Sequence, residues 1–104
     1  MGVSVVDDII TAQNTFTSSI EVGSETRAQI TCSGDGAEGF GSTIVTIQAK
    51  PHHWPSTQWV TIGTIASADS GGQSQFIESG ATILLRAGVA TGDFDADVAI
   101  LLQA

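Results

Sequence analysis

Two short runs rich in β-branched residues constrain the fold of this chain more than any other feature. The first is Gly41-Ser-Thr-Ile-Val-Thr-Ile-Gln-Ala49, and the second is Trp59-Val-Thr-Ile-Gly-Thr-Ile65. Both lack proline and are bounded by turn-forming residues, a composition typical of strands. Residues 50–58 between them contain Pro51 and Pro55, which a continuous strand does not tolerate. The runs therefore predict two antiparallel strands joined by an exposed tip.

Other segments with a period of two flank this pair and predict the remaining strands. They are 11–22 (Phe16, Ser18 and Ile20 on one face), 27–33 (Ala28, Ile30 and Cys32 on one side), 74–78, 82–88 and 93–102. Counted together, the runs give seven or eight short strands and no convincing helix. The sequence thus predicts an all-β fold, a single antiparallel β-sandwich in either jelly-roll or immunoglobulin-like order. We expect residues 11–104 to form this domain, and residues 1–10 to form an N-terminal arm or a short first element.

The charge of the chain limits its partners. Acidic residues number 11 and basic residues three, a formal net charge of −8. Nucleic-acid binding needs a basic surface that displaces counterions, and an anionic membrane attracts basic segments, so neither partner is expected. The acidic balance either keeps the free protein in solution or complements a basic partner.

The cysteine content and the N-terminus predict where the protein is made. Cys32 is the single cysteine, so an internal disulfide is excluded, and its apolar neighbours predict a small core residue. The first residues lack the basic and long apolar regions of a signal peptide. The longest apolar runs are far shorter than a membrane span. We therefore expect a protein made in a cytoplasm.

Two motifs resemble cofactor or metal sites. Gly34-x-Gly36-x-x-Gly39 has the dinucleotide-binding spacing, but a strand follows where that motif needs a helix, so a loop is predicted. Alternating aspartates resemble a calcium loop, yet an EF-hand would carry glycine and glutamate where this chain has Val98 and Ala104. A different calcium site with Asp69 is the alternative to solvated carboxylates on a strand face, and we expect no cofactor. The aspartates are Asp93, Asp95 and Asp97.

The cluster His52-His53-Trp54 lies in the tip between the two central runs. Adjacent histidines point apart on an extended chain and seldom chelate one metal, so a partner-contact site or a locally packed tip is expected. These are the only two histidines, and no Gly-x-Ser-x-Gly elbow occurs. We therefore predict that the chain is not an enzyme.

Several short motifs occur in an order that resembles a known family. They are Phe16-Thr-Ser-Ser-Ile-Glu-Val22, Gly41-Ser-Thr-Ile-Val-Thr-Ile-Gln48, Trp59-Val60, Glu78-Ser-Gly-Ala81, Leu85-Arg-Ala-Gly-Val89 and Thr91-Gly-Asp-Phe94. From Phe16 onward the chain resembles small β-sandwich virion structural proteins of tailed bacteriophages. It departs from them in its longer central tip, and in Leu85, where they carry tyrosine.

The resemblance implies a non-enzymatic virion component. We expect a capsid decoration (cement) protein, bound in many copies to the major capsid protein or to another virion protein. One alternative is a head–tail connector or tail component, stacked in a ring through edge strands such as Asp97–Gln103. Another is a carbohydrate- or receptor-binding module built around Trp54. The adhesive parts would be the arm, the glycine-rich loop and the tip, with Val3, Val5, Ile9, Phe40, His52, His53 and Trp54 as contact residues.

Overall fold

Short strands separated by turns make up the regular secondary structure in the computed structural model, which describes residues 5–34, 39–55, 57–66 and 73–104. Within these ranges there is no helix, so none that could span a membrane. The strands are β1 (Val5–Ile10), β2 (Thr15–Phe16), β3 (Ile20–Val22), β4 (Thr26–Gly34), β5 (Ile44–Pro51), β6 (Val60–Ala66), β7 (Gln73–Ser79), β8 (Ile83–Val89) and β9 (Val98–Gln103).

The strands form two antiparallel sheets. Sheet A has the order β1-β9-β4-β7, and sheet B has the order β2-β8-β5-β6, with β3 also paired to β8. Because β2 and β3 lie along the same neighbour, they form one interrupted strand, and the described residues fill eight strand positions. The predicted antiparallel β-sandwich is confirmed. Of the two strand orders left open, the chain adopts that of a jelly roll.

The core lies between the sheets and follows the alternation of the central strands. Ala28, Ile30 and Cys32 in β4 point inward, as predicted, and so do the alternate apolar residues of β5. Burying side chains of this size stabilises the fold by about 1.5–3 kcal/mol each for valine, leucine, isoleucine or phenylalanine. The largest fully buried apolar side chains are Phe40, Ile10, Ile30, Ile47, Leu85, Ile100 and Leu102.

The predicted continuous strand over 11–22 is interrupted at Thr17. Its N–H donates to the Ala87 carbonyl at 2.8 Å, and its buried hydroxyl accepts a hydrogen bond from the Ala87 N–H at 3.3 Å. The hydroxyl thus takes the place of the Thr17 carbonyl, which would accept this bond in a regular antiparallel pair. The register shifts by one residue beyond this point, so Phe16 lies on the outer face of sheet B while Ile20 faces the core. The prediction of one shared face was therefore wrong.

The last strand is also shorter than predicted, since residues 93–97 form a loop ahead of β9. The buried hydroxyl of Thr43 holds this loop: it accepts hydrogen bonds from the N–H groups of Asp95 and Ala96 at 2.9 and 2.8 Å, and donates to the Ala96 carbonyl at 2.9 Å. The Asp95 carboxylate accepts a further bond from the Ser42 N–H at 3.1 Å. These bonds replace a strand partner, so the aspartates do not share a strand face.

Cys32 is buried in β4, and burial raises the pKa of its thiol to about 12 from the ordinary value of 9.0. The unfolded chain loses this proton first as pH rises, so the free energy of unfolding is expected to fall between about pH 9 and about pH 12. Urea unfolding of the reduced protein at neutral and at alkaline pH measures this loss. The Cys32→Ala variant should show a smaller loss over the same pH interval. An equal loss in both proteins would show that the thiol contributes nothing to it.

Candidate functional site

The tip between β5 and β6 is built from two consecutive turns. The Trp54 N–H donates to the Pro51 carbonyl at 3.1 Å, and the Gln58 N–H donates to the Pro55 carbonyl at 3.0 Å. The Trp54 side chain is 41% exposed, and His52 and His53 are also exposed. The three predicted contact residues of the tip therefore lie together on the surface.

Side chains from the sandwich hold the tip in place. Lys50 is only 6% exposed, and its ammonium group donates to the Trp54 carbonyl at 3.1 Å. His52 Nε2 lies 3.0 Å from Glu21 Oε2, which joins the tip to β3 when the imidazole is protonated. The tip is thus packed against its own domain and also presents an exposed indole ring.

A β-bulge sets the direction of Trp59, which precedes β6. Ile47 of β5 pairs with Gly63 and Gln48 pairs with Thr61, so Ile62 is an extra residue without a partner. An extra residue reverses which face the preceding side chains occupy. Trp59 therefore lies on the outer face of sheet B. Sequence periodicity alone gives no sign of this reversal.

The outer face of sheet B carries a guanidinium group held between two aromatic rings. Arg86 lies 4.3 Å from the centre of the Phe16 ring and 4.4 Å from the Trp59 ring. Its Nε and Nη2 both donate to Gln48 Oε1, at 2.9 and 2.8 Å. Burial lowers the pKa of Arg86, but a guanidinium stays protonated at neutral pH. This stack, Phe16–Arg86–Trp59, fixes the base of the tip to the sheet.

We expect Arg86→Ala to lower the free energy of unfolding by about 1–3 kcal/mol, because two cation–π contacts and the bonds to Gln48 are lost together. Arg86→Lys should recover only part of this, since an ammonium group lacks the planar stacking surface. Chemical denaturation followed by tryptophan fluorescence measures both variants. Arg27→Ala is the matched control: Arg27 lies 5.0 Å from the Phe76 ring and is paired with Glu78, but it is exposed, so a loss below about 1 kcal/mol is expected. Equal losses at the two arginines would contradict a structural role specific to the stack.

The first strand, β1, forms one edge of sheet A. It pairs with β9 on one side, and no other described strand pairs with it on the other. Ile10 is buried in the core, while Val5 and Ile9 are 53% and 48% exposed on the outer face. Residues 5–10 are thus a short first element, and two of the predicted contact residues lie on an open sheet edge.

The remaining predicted contacts, Phe40 and Val3, do not lie on the described surface. Phe40 is 0% exposed and belongs to the core, because the turn at Gly41 directs it between the sheets; as a surface contact it was wrong. Val3 and the loop residues 35–38 lie outside the described residues.

The ring-stacking alternative named an edge that does not exist. Strand β9 is internal to sheet A, paired with both β1 and β4, so its backbone groups are not available to another subunit. The outermost strands are β1 and β7 in sheet A, and β6 and the β2–β3 strand in sheet B. The prediction failed because strand order cannot be read from the position of a strand at the end of the chain.

Each of the three basic side chains is engaged within the domain. Arg27 is paired with Glu78 at 2.6 Å, Lys50 is buried beneath the tip, and Arg86 lies in the aromatic stack. Exposed carboxylates such as Asp7, Asp8 and Glu25 therefore dominate the charge that the surface presents to a partner.

Among the described residues, no group of three histidine, cysteine, aspartate or glutamate side chains is arranged to hold a metal ion. Asp69, the fourth member of the alternative calcium site, lies outside these residues. One surface depression, of ≈ 530 Å³, contains the Arg27–Glu78 ion pair, whose charges offset each other.

No protein-family model matches the chain, and no curated protein or solved structure is significantly similar to it.

Proposed function

We propose that this chain is a non-enzymatic structural protein of a bacteriophage particle, and that it decorates the capsid by binding the major capsid protein in many copies. The observation that carries the proposal is the open edge of β1, where exposed Val5 and Ile9 lie beside acidic residues. A sheet edge with apolar side chains is a ready surface for another protein chain. The motifs that resemble those of tailed-phage virion proteins also support a structural role in a phage particle.

The arrangement of the surface supports a contact function. The cations are engaged within the domain, so a basic partner surface would be attracted to an acidic one. The exposed Trp54 ring adds a second apolar contact on the tip. Weak contacts of this kind give strong attachment when many copies bind one particle side by side.

The fold alone does not decide between classes of function. Jelly rolls occur in viral capsid proteins and in lectins, and a fold hosts many functions. A lectin site would need aromatic platforms beside free polar groups. In this chain Trp54 is an exposed ring, but the Trp59 ring is covered by Arg86, and His52 beside Trp54 contacts Glu21. Trp54 would therefore be a single platform. The surface therefore favours protein contact over sugar binding.

The proposal is tested with particles of the phage that encodes the chain, prepared with and without its gene. Particles lacking the protein should assemble and adsorb normally but release their DNA at a lower temperature, and added purified protein should restore the wild-type temperature. Normal heat resistance with lost adsorption would instead indicate receptor binding. Heads that fail to join tails would indicate a connector. Either result overturns the decoration proposal.

A further inference from the structure

We propose that β1 is a docking edge for a basic β-strand of the partner, which extends sheet A by one strand. The inference rests on the proposed function, because the partner is taken to be another virion protein. It goes further by stating the partner's conformation and the side chains it carries opposite β1.

Strand β1 is already in place to receive a partner strand. Ile10 is buried and Val6 packs against the core, so the strand is anchored from within. Val5 and Ile9 point to the outer face, where their cross-strand neighbours on β9 are Gln103 and Ala99. A partner strand would therefore meet a preformed edge and would not have to order it.

One backbone donor of β1 is bonded to a side chain of the same strand. The Ile9 N–H donates to the carboxylate of its neighbour Asp8 at 2.9 Å, and we take this N–H to face the open edge. In an antiparallel ladder the backbone groups of alternate residues face the same side. Asp8 thus covers one donor of the edge, a device that protects edge strands from indiscriminate pairing.

The two aspartates of β1 disfavour a second copy of this chain as the occupant. Two β1 strands related by a twofold axis must pair residues of the same face. One such register places Asp7 of one copy opposite Asp7 of the other, and the neighbouring register does the same with Asp8. Like charges directly opposite each other destabilise a sheet. The edge therefore disfavours its own copy.

The same carboxylates specify the partner. Along the outer face, β1 presents Val5, Asp7 and Ile9 at alternate positions. The complementary strand carries an apolar residue, a lysine or arginine, and an apolar residue at alternate positions. A cation opposite Asp7 would form a favourable cross-strand pair. No described lysine or arginine of this chain is free to take that place, so the cation comes from the partner.

The test uses a synthetic peptide, Thr-Val-Thr-Lys-Thr-Val-Thr, titrated at millimolar concentration into isotope-labelled protein. Amide resonances of β1 and its neighbour β9 should shift, while those of β6 should not. A peptide with glutamate in place of lysine should bind about tenfold more weakly. A lysine peptide N-methylated at two consecutive central residues should not bind, because it cannot complete the ladder. Absence of shifts in β1 with the lysine peptide would overturn the proposal.

Variants of the protein provide a second test of the same pairing. Asp7→Lys should weaken binding of the lysine peptide about tenfold and strengthen binding of the glutamate peptide. Glu25→Lys, an exposed change of equal charge in the turn before β4, should leave both affinities within about twofold, because salt screens distant surface charges. Equal effects of the two variants would show non-specific charge attraction. Dimerisation of the free wild-type protein through β1 would assign the edge to a second copy, and either result overturns the proposal.

Binding to gene-deleted particles distinguishes a failure of this inference from a failure of the proposed function. If the wild-type protein and the Asp7→Lys variant occupy gene-deleted particles equally well, decoration stands and β1 is not the docking edge. If neither protein binds to the particles while the lysine peptide still shifts β1, the edge stands and the partner is not a capsid.

Discussion

Replacing Phe40 with alanine is expected to lower the free energy of unfolding by about 3–5 kcal/mol. Phe40 is 0% exposed and is the largest of the fully buried side chains in the described part of the chain. Its removal leaves a cavity where the turn between β4 and β5 meets the core. Equilibrium denaturation in urea, with circular dichroism as the signal, measures the loss.

Phe76→Ala is the matched control for this substitution. The Phe76 side chain is 55% exposed on the edge strand β7. The centre of its ring lies 5.0 Å from Arg27 Cζ. We expect this variant to lose less than about 1 kcal/mol. If Phe40 were a partner contact and not a core residue, Phe40→Ala would leave stability unchanged and weaken only binding to particles. That outcome would contradict the placement of Phe40 between the sheets.

A second large effect is expected for Gly88→Ala, with a loss of about 3 kcal/mol. A Cβ atom at this position would press against the Thr15 carbonyl oxygen and lie 2.5 Å from the Phe16 Cα. Both obstructing groups are backbone, so a side-chain rotation cannot relieve the contact. Strand β2 must move away from β8, which also withdraws Phe16 from the Arg86 stack.

The measurement for Gly88→Ala is thermal or urea unfolding, combined with the near-ultraviolet circular dichroism of the aromatic stack. Gly80→Ala is the control, because a Cβ atom at Gly80 meets nothing within 4 Å and should leave stability unchanged or slightly raised. A stable Gly88→Ala protein with an unaltered aromatic signal would show that β2 does not pass as close to β8 as described.

The sequence predicts the parts of this fold in which one face of a strand is buried. Ala28, Ile30 and Cys32 alternate cleanly because β4 has neighbours on both sides and packs on the core from one face. The same reasoning predicts the β5–β6 pair. Strand order is not predictable in this way, because jelly-roll and immunoglobulin-like sandwiches bury similar alternating strands.

The failures of prediction occur where a single side chain replaces a strand partner. Thr17 ends β2 by bonding to Ala87, and Thr43 holds residues 95 and 96 in a loop. Neither role is visible in the apolar pattern, since threonine is equally common within strands. The bulge at Ile62 has a different cause: an extra backbone residue reverses the face of Trp59, and the apolar pattern does not show it either.

The candidate site was predicted in part. The prolines and the length of residues 50–58 predict the exposed tip, and the apolar residues of 5–10 predict a contact element, although not its conformation. Phe40 is not recognisable as a core residue from the sequence, because the glycines on both sides of it predict an exposed loop. The sequence does not show a role for the carboxylates of β1, because that role depends on β1 being an edge strand.

The central claim is that this sandwich acts as a bound surface component of a phage capsid. The most direct measurement is the number of copies of the chain relative to the major capsid protein in purified particles, by quantitative mass spectrometry. Decoration predicts a copy number of the same order as that of the major capsid protein. This number should persist after the particles are washed at moderate salt. Absence from purified particles, or an amount equal to a single ring per particle, would contradict it.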